Sequence, residues 1–160
     1  MKKAVCPGSF DPITNGHLDV IERASGLFDQ VVIAVLLNSS KGGLFSVAER
    51  VEMIQDSVKH LKNVTVDTWS GLLVEYCQAN QIKAIVKGLR AVSDFDYELQ
   101  MAQINLQLKG VDTLLMATKP AYSFLSSSLV REISSYSGDV SAFVPPRVAS
   151  ALAAKAAARG

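Results

Sequence analysis

Four groups of side chains in this chain could grip a polyanion: His17, Lys41, the pair Lys87 and Arg90, and the run Ser126-Ser127-Ser128. Imidazole, ammonium and guanidinium groups offer charge-assisted donors to phosphate oxygens. Serine hydroxyls at a helix start add donors at the positive end of the helix dipole, and the same residues serve equally well as plain caps. Donors of this kind without a nucleophile suit phosphoryl or nucleotidyl transfer between two bound partners, a chemistry of positioning and charge stabilisation. Other chemistries lack their residues. There is no GxxxxGK[ST] loop, no GxGxxG opening the first helix and no nucleophile elbow. Asp11, Asp94, Asp96 and Glu98 are too few and too scattered for a protein-built two-metal site. Cys6 and Cys77 show neither CxxC nor Cys/His spacing, which excludes a zinc site and a disulfide framework.

The densest stretch is Cys6-Pro7-Gly8-Ser9-Phe10-Asp11-Pro12-Ile13-Thr14-Asn15-Gly16-His17. It joins an expected strand, Lys3 to Cys6, to an expected helix, Gly16 to Leu27, whose apolar residues Leu18, Ile21, Ala24 and Phe28 recur at helical spacing. Thr14 or Asn15 can cap that helix. Gly8 and Gly16 permit close approach, and Pro7 and Pro12 fix φ and remove donors. A strand-to-helix loop of this composition is where an α/β protein can hold a phosphate, with His17 in the first helical turn beside it. Asn-Gly and Asp-Pro are also ordinary turn dipeptides, so local chemistry leaves both readings open.

The elements that must position these groups follow in regular alternation. Gln30 to Leu37 is an almost unbroken apolar run rich in β-branched residues, as in a strand covered on both faces. Ser46-Val47-Ala48-Glu49 is a capping box that opens a helix carrying Val47, Val51, Ile54 and Val58. Strands are expected at 64–67, 82–86 and 112–117, and helices at 71–80, 94–108, 129–136 and from Pro145-Pro146 onward. The 94–108 helix has two apolar stripes, Phe95/Leu99/Ala102/Leu106 and Tyr97/Met101/Ile104/Leu108, which predict burial on both sides, one of them against another subunit. Strands alternating with helices imply a Rossmann-like, doubly wound, five-stranded parallel sheet in a single domain spanning 1–160. In such sheets ligands sit at the carboxyl ends of the strands. Loops 8–17, 38–43, 87–90 and 122–128 all leave such ends.

Taken together and in order, Gly8-Ser9-Phe10-Asp11-Pro12, Thr14-x-Gly16-His17, Lys41, Lys87-Gly88-Leu89-Arg90, Asp94-Phe95-x-Tyr97-Glu98 and Tyr122-Ser123-Phe124-x-Ser126-Ser127-Ser128 resemble the bacterial phosphopantetheine adenylyltransferase family. That family belongs to the nucleotidyltransferase superfamily with the T-x-G-H motif, and the likeness spans nearly the whole chain. It implies reversible transfer of the adenylyl group of ATP to 4′-phosphopantetheine, giving dephospho-coenzyme A and pyrophosphate by direct in-line attack on the α-phosphate. By the same resemblance, His17 stabilises the transition state, with Lys41 and Arg90 beside it. Ser9, Lys41, Leu73 and Lys87 hold the acceptor. Ser9, Phe10, His17, Gly88, Leu89, Arg90, Glu98, Tyr122, Ser123, Phe124, Leu125, Ser126, Ser127 and Ser128 hold ATP. The resemblance further implies Mg2+ carried by ATP, coenzyme A as a feedback ligand and a homohexamer. Two residues depart from the common pattern: Ser9 stands where many members have Thr, and Lys87 where many have Arg, which keeps the charge but loses the bidentate fork.

Composition bounds the alternatives. With 160 residues, 49% hydrophobic and 19% charged, and a net charge of +1, the chain reads as a globular domain without reason to bind nucleic acid or a membrane surface. No apolar run reaches transmembrane length and no signal peptide is visible, so a cytoplasmic enzyme is expected. The nearest rival functions are other nucleotidyl transfers, to nicotinamide mononucleotide, glycerol phosphate or an alcohol phosphate. A nucleotide-binding module without catalysis is the rival from a different class.

Overall fold

A computed structural model describes residues 1–37 and 42–159. The element order is β1 (Lys3–Gly8), α1 (Asn15–Ser25), β2 (Gln30–Leu36), α2 (Val47–Val58), β3 (Val64–Trp69), α3 (Leu73–Ala79), β4 (Ala84–Leu89), α4 (Val92–Lys109), β5 (Asp112–Ala117), α5 (Ser127–Ser135) and α6 (Pro146–Arg159). A short 3-10 turn, Pro120–Tyr122, lies between β5 and α5. The five strands form one parallel sheet in the order β3-β2-β1-β4-β5. The first three strands run outward one way and the chain then crosses back, so the order reverses between β1 and β4. That crevice is the switch point at which such sheets bind ligands.

Side-chain alternation divides the core into two layers. Ala4, Cys6, Val31, Ile33, Val35 and Val86 face α1, α2, α5 and α6. Val5, Val32, Ala34 and Ile85 face the other way, against Val74 and Cys77 of α3. Burying one such aliphatic side chain fully contributes about 1.5–3 kcal/mol, which is why the central strands fix their register strongly.

The strand boundaries differ from expectation where the site is. β1 continues through Pro7 to Gly8 and pairs with β2 all the way, from Lys3↔Gln30 to Gly8↔Val35. It pairs with β4 only at Ala4↔Ala84 and Val5↔Ile85. Pro7, which has no N–H to give, thus falls where β4 no longer runs alongside. β4 likewise starts later and runs further than expected, and carries Lys87, Gly88 and Leu89 on the strand itself. α1, α3 and α5 are shifted by a few residues from the expected spans, with α5 starting at Ser127, inside the serine run.

α4 departs more. Burial on both sides was expected, yet Asn105 is the one buried residue among those of the helix whose side chains are described. Phe95, Leu99, Ile104, Leu106 and Leu108 are all exposed, as is Leu114 on the neighbouring β5. The helix touches α3 and β5 within the chain, and neither contact covers both apolar stripes. No helix among the described residues is long and apolar enough to cross a membrane.

Candidate active site

β1 ends in the segment that seats His17. Thr14 caps α1 in extended conformation, and His17 at the third helical position completes a capping box. The Thr14 N–H donates to Nδ1 of His17 at 3.0 Å, and the His17 N–H donates to Thr14 Oγ1 at 3.4 Å. A backbone N–H can only donate, so Nδ1 is the unprotonated nitrogen and Nε2 carries the hydrogen. Phe10 packs its ring against the imidazole at 5.0 Å between centroids. Phe10 is itself buried, with a left-handed φ of 49°. A bulky residue in that conformation is strained and is held there by its neighbours. Gly8 is pressed beneath it: a Cβ on Gly8 would come within 3.1 Å of the Phe10 ring.

Burial, with the positive charges of Arg90 and Lys87 adding to it, lowers the His17 pKa from 6.5 to about 4. The imidazole is therefore neutral at physiological pH and acts as an Nε2–H donor. This has a consequence for stability. The unfolded chain takes up a proton on His17 near pH 6.5 and the folded chain does so only near pH 4. The contribution of this residue is thus complete above about pH 6.5 and is lost as the pH falls towards 4. Urea midpoints measured from pH 7 down to 4.5 should fall, and fall less in His17→Asn; equal slopes would contradict the assignment.

A cleft of about 580 Å³ opens at the switch point. Its lining includes Ser9, Phe10, His17, Lys87, Gly88, Arg90, Glu98, Leu125, Ser126, Ser127 and Ser128 from the expected set. Leu89, Tyr122, Ser123 and Phe124 are not among its lining residues. The Leu89 carbonyl accepts from the Thr118 N–H and hydroxyl, both at 3.1 Å, and so ties the end of β4 to the strand beside it. Tyr122 packs on the core and Phe124 meets Phe143 edge-on at 5.7 Å. Leu73, expected against the acceptor, lies at the start of α3 on the far core layer and does not line the cleft. Lys41 lies outside the described residues.

The cations of the cleft have partners in the chain. Lys87 Nζ lies 3.5 Å from Glu98, and Arg90 Nε lies 3.2 Å from Asp94. Arg90 also donates to the Leu125 carbonyl at 2.7 Å, which joins β4 to the segment entering α5. In the serine run, Ser126 caps α5 by accepting from the Leu129 N–H at 3.1 Å, and Ser127 donates to the Pro12 carbonyl at 2.7 Å. Cys6 lines the cleft floor, but burial, opposed by nearby Lys87, pushes its thiol up to about 12, which suits no nucleophile.

Three residues at this site escaped sequence reasoning: Arg50, Arg131 and the anchoring role of Asp11. Asp11 is buried, and its carboxylate accepts from the N–H groups of Leu44 and Phe45, both at 2.9 Å. Arg50 Nε stands 3.5 Å from it and also donates to the Phe45 carbonyl, while Arg50 Nη1 reaches the Ser9 carbonyl at 3.3 Å. Arg131 Nη1 donates to the Asp11 carbonyl at 2.7 Å. Through its carboxylate and its carbonyl, Asp11 thereby joins the loops after β1 and β2 to α2 and α5. Gly43 closes over the pair so tightly that an added Cβ would collide with Arg50 and Asp11. Arg131 sits three residues after Ser128 on one helical face, a spacing that could have flagged it; Arg50 follows the capping box without any such signal.

Donors from three strand ends and two helix starts around a ligand-sized crevice define a nucleotide-handling α/β enzyme. The family model described as cytidylyltransferase-like matches residues 5–133. Phosphopantetheine adenylyltransferases from Thermobifida fusca, Streptomyces coelicolor and Frankia alni are 57%, 59% and 58% identical to the chain. The matches cover 97%, 95% and 98% of this chain and 94%, 96% and 99% of those proteins. A putative nicotinate-nucleotide adenylyltransferase from Vibrio parahaemolyticus shares the fold at TM-score 0.63 and 21% identity, over 95% of this chain and 99% of that one. A lipopolysaccharide core biosynthesis protein from Thermoplasma volcanium does so at TM-score 0.56 and 20% identity, over 74% and 97%. The chain belongs to the cytidylyltransferase-like family of nucleotidyltransferases and, within it, to the phosphopantetheine adenylyltransferases.

Proposed function

We propose that the chain transfers the adenylyl group of ATP to 4′-phosphopantetheine, reversibly, giving dephospho-coenzyme A and pyrophosphate. The observation that carries this reading is the neutral His17, whose Nε2–H has no partner among the described residues, while Lys87, Arg90 and the Ser126–Ser128 turn share its cleft. The names of relatives near 58% identity supply the acceptor.

The acceptor phosphate is already ionised near neutral pH, so no general base is needed. One of its oxygens attacks the α-phosphorus in line; the new P–O bond forms as the bond to the bridging oxygen breaks, and pyrophosphate leaves with the electron pair. Ser9 and Lys87 hold the acceptor phosphate. The His17 Nε2–H donates to an α-phosphate oxygen as charge shifts, and Arg90 with the 126–128 turn receives the β- and γ-phosphates. A neutral donor suits this step because its Nε2–H is too weak an acid to be transferred, so it stabilises charge in either direction. Mg2+ carried by ATP would offset part of the triphosphate charge. The carboxylates lining the cleft are already engaged, Asp11 by backbone N–H groups and Arg50, Asp94 by Arg90 and Glu98 by Lys87, which supports this reading.

The enzyme works in the cytoplasm as a homohexamer, with coenzyme A as a feedback ligand. The apolar residues that α4 and Leu114 leave exposed support an assembled state, and light scattering after size exclusion tests it.

Purified protein with Mg2+, ATP and 4′-phosphopantetheine should release pyrophosphate. Wells with CTP for ATP, or nicotinamide mononucleotide for the acceptor, should stay silent. Release with another acceptor would overturn the substrate, and silence everywhere with ATP bound would leave a binding module.

A further inference from the structure

Asp19 is a buried carboxylate that the chemistry above does not use. Two residues beyond His17 on α1, it is 6% exposed and faces two cations. Arg23 Nη1 lies 3.0 Å from one of its oxygens and Lys119 Nζ 3.2 Å from the other. Arg23 Nη1 also donates to the Ala117 carbonyl at 2.8 Å. The helix that carries His17 is thereby tied to the last residue of β5 and to the residue that opens the 3-10 turn leading to Ser126–Ser128.

The surrounding packing leaves this junction little freedom. A Cβ on Gly88 would meet Val20 of α1 at 3.0 Å and Thr118 at 3.4 Å. Further along, Gly16 lies against Tyr122 and Leu125, so the first turn of α1 and the 122–125 segment touch directly. Only the carboxylate is buried, since Arg23 and Lys119 keep 40% and 62% of their side chains exposed, so solvent screens the pairs and they add little to stability; what they can do is fix one arrangement among several. Here the arrangement fixed is the distance between His17 and the segment after β5.

We propose that Asp19 is a positioning residue for the nucleotide: through Arg23 and Lys119 it sets where segment 118–128 stands relative to His17. This rests on the proposal that 122–128 binds ATP. The acceptor side, at Ser9 and Lys87, has no part in the tie, so the two substrates should respond differently.

The test is steady-state pyrophosphate release with each substrate varied in turn, beside ATP calorimetry and thermal unfolding. Asp19→Asn should raise the ATP KM and the ATP dissociation constant about 10- to 100-fold, the scale of an ~1 Å misplacement. The acceptor KM should move little. Lys119→Met leaves Asp19 paired with Arg23, so it should shift the ATP terms in the same direction by less, at unchanged Tm. Adding it to Asp19→Asn should bring no further loss, since both break one connection. Asp19→Glu, which keeps the charge, should recover part of the ATP affinity. A fall in Tm with ATP binding unchanged, or equal shifts for both substrates, would overturn the proposal. Should Asp19→Asn fail to fold, Lys119→Met alone decides it. If the wild type binds ATP but releases no pyrophosphate, the acceptor assignment fails, and calorimetry still tests Asp19. A wild type that does not bind ATP overturns both.

Discussion

Turnover in His17→Ala is expected to fall about 10²–10³-fold with ATP binding little changed, the usual cost of losing one preorganised donor to developing charge. In the proposed mechanism the loss belongs to kcat, because the Nε2–H contact would strengthen only as the α-phosphate reorganises. Alanine also removes the acceptor for the Thr14 N–H and so weakens the start of α1. Two further variants separate donation from capping. His17→Asn keeps an oxygen where Nδ1 receives that N–H but has no donor at Nε2; it should be nearly as slow as alanine and more stable. His17→Gln places an amide where Nε2 sits and should recover part of the rate at some cost to the cap. Asn faster than Gln, or near-normal turnover in His17→Ala, would refute the role.

Asp11→Ala should be the most damaging single change to stability, at about 3–5 kcal/mol, the range for removing one partner of a buried ion pair. It leaves Arg50, itself buried, without its counter-charge and strands the N–H groups of Leu44 and Phe45. For a domain of this size each kcal/mol lowers Tm by about 2–4 °C, so calorimetry would register the full effect easily. Asp11→Ala combined with Arg50→Met should recover part of the loss, because no lone charge remains in the core. A loss below about 1 kcal/mol in the single variant would show that the carboxylate is not the anchor its contacts describe.

The sequence carried the architecture because the architecture rests on periodicity. The apolar run from Val31, the capping box at Ser46–Glu49 and the stripe on α2 each have one reading, and together they force alternating strands and helices. Edges were harder. Proline normally ends a strand, and Pro7 does not, because β4 has already turned away; that is a tertiary circumstance no local window contains. The loops of the cleft were legible as carriers of the cationic and hydroxyl side chains that converge there. What escaped was the framework behind them. Asp11 meets Arg50 and Arg131, and Asp19 meets Lys119, across separations that only the fold creates, and a charged residue on an amphipathic helix looks the same whether it faces water or a buried partner. Leu73, which the resemblance sets against the acceptor, stands at the start of α3, where its side chain packs against the second core layer.

The ion pairs of the cleft bear on how the enzyme meets its ligands. Lys87 and Arg90 wait beside Glu98 and Asp94, so an arriving phosphate finds each cation with a resident anion at its side. On the proposed function, binding is then an exchange: the incoming oxygen would replace a carboxylate, and the carboxylate would return when the product leaves. An exchange gains less free energy than filling a bare positive pocket, and it depends less steeply on salt, since fewer counterions are released. It also restrains ground-state affinity without weakening donors, such as the His17 Nε2–H, that act on charge formed during the reaction. On the proposed function, Glu98 and Asp94 would thus be stand-ins for substrate, holding the cations in order between turnovers and letting product go.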